Sequence, residues 1–341
     1  MTRYSLIKEH LLENTYTWLI TGVAGFIGSN ILETLLSLNQ RVVGVDNFIT
    51  GKRINLDHVS FSVQDNQWKN FSFIKGDLAD PRKCNEVIKN IDFVLHQAAL
   101  GSVPRSIKDP LATNQSNVEA FLNILNASKN FGVKSFTFAS SSSVYGDHND
   151  LPKYEDRIGS QLSPYAVSKY TNELYADVFA RSFNFNSIGL RYFNVFGKRQ
   201  DPYGPYAAVI PKWISSFING EDIYIYGDGS TSRDFCFIDN VVQINILSAL
   251  AENDAKGQIY NVANGNQTSL LDLFDMLKFF LAENGVEASQ EPIFKDFRPG
   301  DVKHSLASID KAKLLLGFEP SHTITTGLKE TMSWYINFLR K

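Results

Sequence analysis

Thr17-Trp18-Leu19-Ile20-Thr21-Gly22-Val23-Ala24-Gly25-Phe26-Ile27-Gly28 is the stretch on which the fold turns. Trp18, Leu19 and Ile20 form a short apolar run that reads as a buried strand. Gly22, Gly25 and Gly28 follow at three-residue spacing, and Ile31-Leu32-Glu33-Thr34-Leu35-Leu36 continues as a helix-compatible segment. Strand, glycine turn and helix in this order make a pyrophosphate site. Glycine permits the tight turn and close backbone approach, and the open N–H groups of the helix start face the anion. A glycine triplet alone is common in turns, so the flanking strand and helix carry the argument. A second apolar run, Arg41–Val45, ends in Asp46. That acid lies roughly 20 residues beyond the glycines, where a ribose 2′-hydroxyl is expected to find its partner. A carboxylate there repels a 2′-phosphate, so NAD is the expected cofactor; Lys52 and Arg53 nearby argue for NADP.

Working outward, short apolar runs alternate with amphipathic stretches at Trp18–Thr21, Val42–Val45, Phe71–Ile74, Phe93–His96, Ser135–Ala139 and Ser187–Leu190. The pattern predicts an α/β fold, a Rossmann-like doubly wound parallel sheet. From about Arg191 the alternation breaks down, which predicts a smaller mixed α/β C-terminal lobe for substrate. The expected division is 1–190 with parts of 235–265 for the dinucleotide, and 191–234 with 266–341 for the substrate. Ser269–Leu281 and Thr326–Leu339 read as amphipathic helices. Ligands in such sheets sit outside the carboxyl ends of strands, so the loops there are the places for chemistry. Asp77, after the third run, can accept from an adenine amino group or cap the helix after Pro81; local sequence leaves both open. His96 reads as a packed, satisfied histidine rather than a catalyst.

With 43% hydrophobic and 20% charged residues among 341, the chain has the composition of a soluble globular protein. A net charge of −3 with no lysine- or arginine-rich tract gives no reason to expect nucleic acid or an anionic membrane as partner. Cys84 and Cys236 are too few for a disulfide framework, and the six histidines show no metal-ligand spacing, so no metal is expected. Lys8, Glu9, His10 and Glu13 interrupt any apolar leader, and no apolar run has the length of a membrane span. The expectation is a reduced, cytoplasmic protein.

Two loops carry the strongest chemical signal. The fifth run enters Ser140-Ser141-Ser142-Ser143-Val144-Tyr145-Gly146, and Ser163-Pro164-Tyr165-Ala166-Val167-Ser168-Lys169 opens a long helix. Tyr165 and Lys169 are four apart and share a helix face. A tyrosine with a pKa of about 10 is a poor base, and lowering it to about 7 takes roughly 4 kcal/mol. One cation at about 4 Å, in an effective dielectric near 20, is of that order. Lys169 is placed to supply it and an oxidised nicotinamide ring adds more positive charge, so an acidified Tyr165 is expected, with a serine sharing the substrate proton.

With these motifs the chain resembles the extended short-chain dehydrogenase/reductase family, and within it the nucleotide-sugar 4-epimerases. The resemblance runs from Trp18 to the last helix. It implies Ser141, Ser142, Ser143, Tyr165 and Lys169 as the catalytic set. It implies a tightly bound, recycled NAD held by Gly22, Gly25, Phe26, Ile27, Gly28, Asp46, Asn47, Gly51, Asp77 and Leu78. Gln97, Ala98, Ala99, Ser116, Tyr165, Lys169, Tyr192 and Val195 complete that set. For a UDP-sugar it implies Gly101, Ser102, Val103, Ser141, Ser143, Tyr165 and Asn194. Ala208, Val209, Tyr224 and Tyr226 follow, then Arg233 and Arg298 on the diphosphate, Asp301 on the ribose and Ser305 at the sugar. Relatives that eliminate water carry Thr-Asp-Glu over positions 141–143, and decarboxylating relatives carry a glutamate at the last of them. The serines here imply simple C4 epimerisation through a 4-keto intermediate. A small Ser305 and Gly101 imply room for a 2-acetamido group, hence UDP-GlcNAc and UDP-GalNAc, with C6 either CH₂OH or COO⁻. A UDP-glucose/galactose 4-epimerase, and a dehydratase, decarboxylase or reductase of the same fold, are the alternatives. Family members usually dimerise through helices equivalent to 112–131 and 165–183, and the subgroup feeds surface-polysaccharide synthesis.

Overall fold

The computed structural model describes residues 1–203, 207–297 and 303–340. In chain order the first half runs α1 (Arg3–Glu13), β1 (Thr17–Thr21), α2 (Phe26–Ser37), β2 (Arg41–Asp46), α3 (Arg53–Ser62), α4 (Asp65–Trp68), β3 (Phe71–Lys75), α5 (Pro81–Val87), β4 (Phe93–His96), α6 (Val103–Lys108), α7 (Pro110–Asn114), α8 (Ala120–Phe131), β5 (Ser135–Ser141) and α9 (Pro164–Phe183). The second half runs β6 (Ile188–Tyr192), β7 (Val195–Phe196), α10 (Val209–Asn219), β8 (Ile223–Tyr226), β9 (Ser232–Arg233), β10 (Cys236–Phe237), α11 (Ile238–Ala249), β11 (Gln258–Val262), β12 (Thr268–Ser269), α12 (Leu270–Glu283), β13 (Pro292–Lys295), α13 (Asp310–Leu316) and α14 (Ile324–Leu339).

Seven strands form one parallel sheet in the order β3-β2-β1-β4-β5-β6-β11. Side chains alternate across it. Ile20, Leu95, Ala139 and Leu190 enter one core with α2 and α11. Leu19, Val94, Phe136 and Phe138 enter the other with α8 and α9. The chain leaves β1 toward β2 and returns to β4 on the other side, so a crevice opens above the carboxyl ends of β1 and β4.

The α1 helix has no counterpart in the sequence reading. One of its residues, Leu11, is fully buried, so its apolar stripe is too thin to be seen as a period. Buried Gln40 holds it, donating to the carbonyls of Leu11, Asn14 and Leu38. The second half builds a smaller group around the parallel β8–β13 pair, α10, α12 and α14, with Trp213, Phe217 and Phe274 packed ring on ring.

Candidate active site

Gly22 leaves β1 with φ +67°, and its N–H bonds the Val45 carbonyl. A Cβ on Gly28 would lie 2.2 Å from the Gly22 carbonyl oxygen, so helix and turn touch because position 28 lacks a side chain. Gly25 caps α2 without a side-chain acceptor, which leaves first-turn N–H groups for an anion. Asp46 accepts the N–H groups of Ala24 and Phe48 at 3.0 and 2.8 Å. Burial raises its pKa, and those hydrogen bonds oppose the rise. Lys52 pairs with Asp201 at 2.6 Å and Arg53 with Asp57 at 3.3 Å, so both cations that argued for NADP have carboxylate partners. Asp80, not Asp77, caps α5 by accepting the Arg82 N–H. Asp77 accepts from Ala79 and from Asn47 Nδ2.

A cavity of about 390 Å³ occupies the crevice. From the β1–β3 side it is lined by Gly22, Gly25, Phe26, Ile27, Gly28, Asp46, Asn47, Gly51, Asp77 and Leu78. From the β4–β6 side come Gln97, Ala98, Ala99, Gly101, Ser116, Ser141, Tyr165, Lys169, Tyr192, Asn194 and Val195. Ser116 stands in a π-helical turn, Gln115–Glu119, that sequence reasoning missed. Buried Asn117 in that turn bonds the N–H and carbonyl of Leu100 and the Ser168 hydroxyl, tying the cavity wall to α9. The Tyr192 hydroxyl donates to Gln97 and accepts from Asn245, a buried partner on α11 that carries no sequence signal.

Ser163 caps α9 by accepting the Ala166 N–H, and Pro164 sits in its first turn, so the helix starts where Tyr165 faces the cavity. Ser141 Oγ accepts both the N–H and the hydroxyl of Ser143, leaving its own proton to donate. Lys169 is buried, and its Nζ donates to the Ala139 carbonyl at 2.8 Å. Burial lowers its pKa to about 8, while Glu173 opposes the fall.

The protein's own groups do not by themselves acidify Tyr165. Burial pushes the phenol up, and the Ser141 hydroxyl pulls the other way without overcoming it. Burial is the larger influence, and the Lys169 ammonium donates to the Ala139 carbonyl. Further positive charge in the cavity is needed to acidify the tyrosine.

His96 is packed as expected, but only half satisfied. Thr21 Oγ1 accepts the N–H groups of Gln97 and Ala98, so its proton goes to His96 Nδ1 at 2.9 Å. Nε2 is buried without a hydrogen-bond partner among the described residues. Burial, helped by the Lys169 charge, lowers the His96 pKa to about 3.

A second cavity, about 310 Å³, adjoins the first through Asn194, which lines both. Asn194 has φ +33° and donates to the Asp234 carbonyl. Val209, Tyr224, Tyr226 and Arg233 line this cavity with Trp213, Phe235 and Phe297. Lys212 and Lys303 also line it; they were not foreseen, since a lone lysine reads as a surface charge. Arg233 donates to the carbonyls of Ser232 and Lys303. Ala208 caps α10, between two lining residues. Ser102, Val103, Ser142, Ser143 and Ser305 line neither cavity. Ser102 and Val103 open α6, Ser142 and Ser143 lie in a 3-10 turn, and Ser305 donates its N–H to the Ser232 carbonyl. Arg298 and Asp301 lie outside the described residues.

Comparison with known proteins agrees on the family. The pattern of the NAD dependent epimerase/dehydratase family matches residues 18–263. The chain is 33% identical over 321 residues to a putative UDP-glucose 4-epimerase of Methanocaldococcus jannaschii, covering 94% of this chain and 98% of that protein. It is similar, at 38% identity and TM-score 0.85, to a UDP-N-acetylglucosamine 4-epimerase from Methanobrevibacter ruminantium M1 solved with UDP-N-acetylmuramic acid, covering 95% and 99% of the two chains. It is also similar, at 29% identity and TM-score 0.84 over 94% and 99%, to the UDP-glucuronic acid 4-epimerase from Bacillus cereus solved with UDP-glucuronic acid and NAD.

Proposed function

The chain belongs to the NAD dependent epimerase/dehydratase family, and from that premise we propose that it interconverts UDP-GlcNAc and UDP-GalNAc by inverting C4 through a 4-keto sugar. The observation that carries the reading is the convergence of Ser141, Tyr165 and Lys169 on one wall of the larger cavity. The carboxylates that line this cavity, Asp46 and Asp77, end β2 and follow β3, on the far side from that wall. No described carboxylate therefore lines it beside Tyr165 to take a proton from C5, which favours epimerisation over dehydration. Nothing lies within 4 Å of where a Gly101 side chain would begin, and that open space supports a bulky 2-acetamido group. The 38% identity to a UDP-N-acetylglucosamine 4-epimerase points the same way.

The residues present fit NAD: an uncapped helix start, a glycine contact that a side chain would fill, and Asp46 with the nearby Lys52 and Arg53 paired to Asp201 and Asp57. The cofactor, when bound, supplies reversible two-electron chemistry at C4. Tyr165 takes the C4 hydroxyl proton and returns it, with the Ser141 hydroxyl, the phenol's hydrogen-bond partner, turning to orient that oxygen. Lys169 keeps positive charge under the phenol's wall. Arg233, with Lys212 and Lys303, holds the diphosphate while the sugar turns over. A homodimer through α9 completes the reading, supported by the exposed apolar stripe Val167, Leu174 and Val178.

Purified protein incubated with UDP-GlcNAc and no added cofactor should form UDP-GalNAc, followed by NMR. UDP-Glc and UDP-GlcNAcA run in parallel rank the ring substituents. Tyr165→Phe should keep the fold and lose at least about 100-fold in turnover. A product of altered mass, or near-normal activity of the variant, would sink the assignment.

A further inference from the structure

A buried ion pair behind the catalytic wall has no part in the chemistry above. Glu173 stands one helical turn beyond Lys169 on α9. Its two oxygens accept from Arg191 Nε and Nη2 at 2.9 and 2.8 Å, and the two side chains are 5% and 4% exposed. Ser140, next to Ser141, donates its hydroxyl to the same carboxylate. Arg191, next to Tyr192, also donates to the Glu155 carbonyl and lies 4.8 Å over the Tyr145 ring. The pair thus joins the elements that carry Tyr165 and Lys169, Ser141, and Tyr192. Desolvation offsets most of the attraction in such a pair, so stability is a weak account of its presence, and position is a better one.

Its charge is placed asymmetrically. Tyr165 and Glu173 flank Lys169 along α9, and neutral His96 approaches from β4. Among these groups Glu173 is the carboxylate, and it opposes the burial that weakens the ammonium. Glu173 faces Ser140 from β5 and Arg191 from β6, and shares a cavity wall with Glu155, Asp156, Asp177 and Lys311.

Resting on the reading of Tyr165 as proton carrier, we propose that Glu173 is a positioning residue of this centre. Its charge keeps Lys169 cationic beneath the cavity, and its bonds to Ser140 and Arg191 set Ser141 and Tyr192 against Tyr165.

The test uses the NAD-loaded protein with lysine ¹³Cε labels, Lys169 being assigned with Lys169→Arg, and follows the Lys169 titration by NMR. Glu173→Gln should lower the Lys169 midpoint by about one pH unit and move the alkaline limb of kcat down equally. Glu173→Asp should restore both. Arg191→Gln removes a cation and leaves the carboxylate unpaired, so it should raise the midpoint, which also carries the test if Glu173→Gln does not fold. Equal losses of Tm in Glu173→Gln and Arg191→Gln with no movement of the midpoint would overturn the proposal. The midpoint is read without any sugar, so a protein that failed to epimerise would refute the function and leave this inference standing.

Discussion

At His96 one side chain records how burial becomes pH dependence. The folded protein keeps its imidazole neutral, with a pKa of about 3, whereas an unfolded chain protonates histidine at about 6.5. Between those values the unfolded state binds the extra proton. The contribution is therefore fully present above about pH 6.5 and is lost as pH falls toward 3. From pH 7 to pH 5 the loss amounts to about 2 kcal/mol. His96→Gln should flatten that part of the stability profile by a similar amount, read from urea melts at the two pH values. An unchanged slope would show that the imidazole titrates in the fold. Tyr165 teaches the complementary lesson: four residues of spacing put it on one face with Lys169, but the direction of the ammonium was set by the Ala139 carbonyl.

The glycine turn and α2 act as one element. Alanine within a helix is ordinarily more favourable than glycine by up to about 1 kcal/mol. At Gly28 the sign reverses, because the new Cβ would meet the Gly22 carbonyl at 2.2 Å and the Val23 Cα at 2.9 Å. Backbone must move to relieve both contacts. Gly28→Ala should cost about 1–3 kcal/mol and lower the NAD recovered with the purified protein, measured by Tm and by absorbance of the released cofactor. Full cofactor content at an unchanged Tm would count against close contact as the reason for this glycine. The central strands β1, β4, β5 and β6 were legible because burial on both faces makes them apolar runs, whereas edge strand β11 (Gln258–Val262), with polar residues at both flanks of its apolar positions, was not read. The π-helical turn at Gln115–Glu119 was not, because its side chains match those of an ordinary helix and the extra residue per turn shows only in the backbone.

Across the whole molecule, the two cavities meet at Asn194, and buried Asp234 fixes that meeting point. Asp234 accepts the N–H groups of Asn264, Gly265 and Ala307 at 2.9, 3.1 and 3.2 Å, while its own carbonyl accepts from Asn194. It thereby ties the loop after β11 and the segment before α13 to the strand that carries Arg233. Asp234→Ala leaves three N–H groups without that acceptor, at a cost of about 2–4 kcal/mol. NAD content should persist, since neither Asp234 nor its partners Asn264, Gly265 and Ala307 line the larger cavity, and UDP binding by calorimetry should weaken, since the adjacent Arg233 lines the smaller one. Equal loss of both ligands would mean that the residue supports the entire fold rather than the junction.

The glycine spacing and the acid after the second strand gave the fold class and the cofactor class from sequence alone, and the serine run and the tyrosine–lysine pair marked where to look for the chemistry. Each is a short-range pattern, complete within a strand, a turn or a helix face. Residues brought together from distant parts of the chain could not be read that way: Asn245 on Tyr192, Arg191 on Glu173, and Lys212 and Lys303 on the wall of one cavity. Which of two partners receives a buried charge depends on packing across the sheet, and that is decided only when the chain has folded.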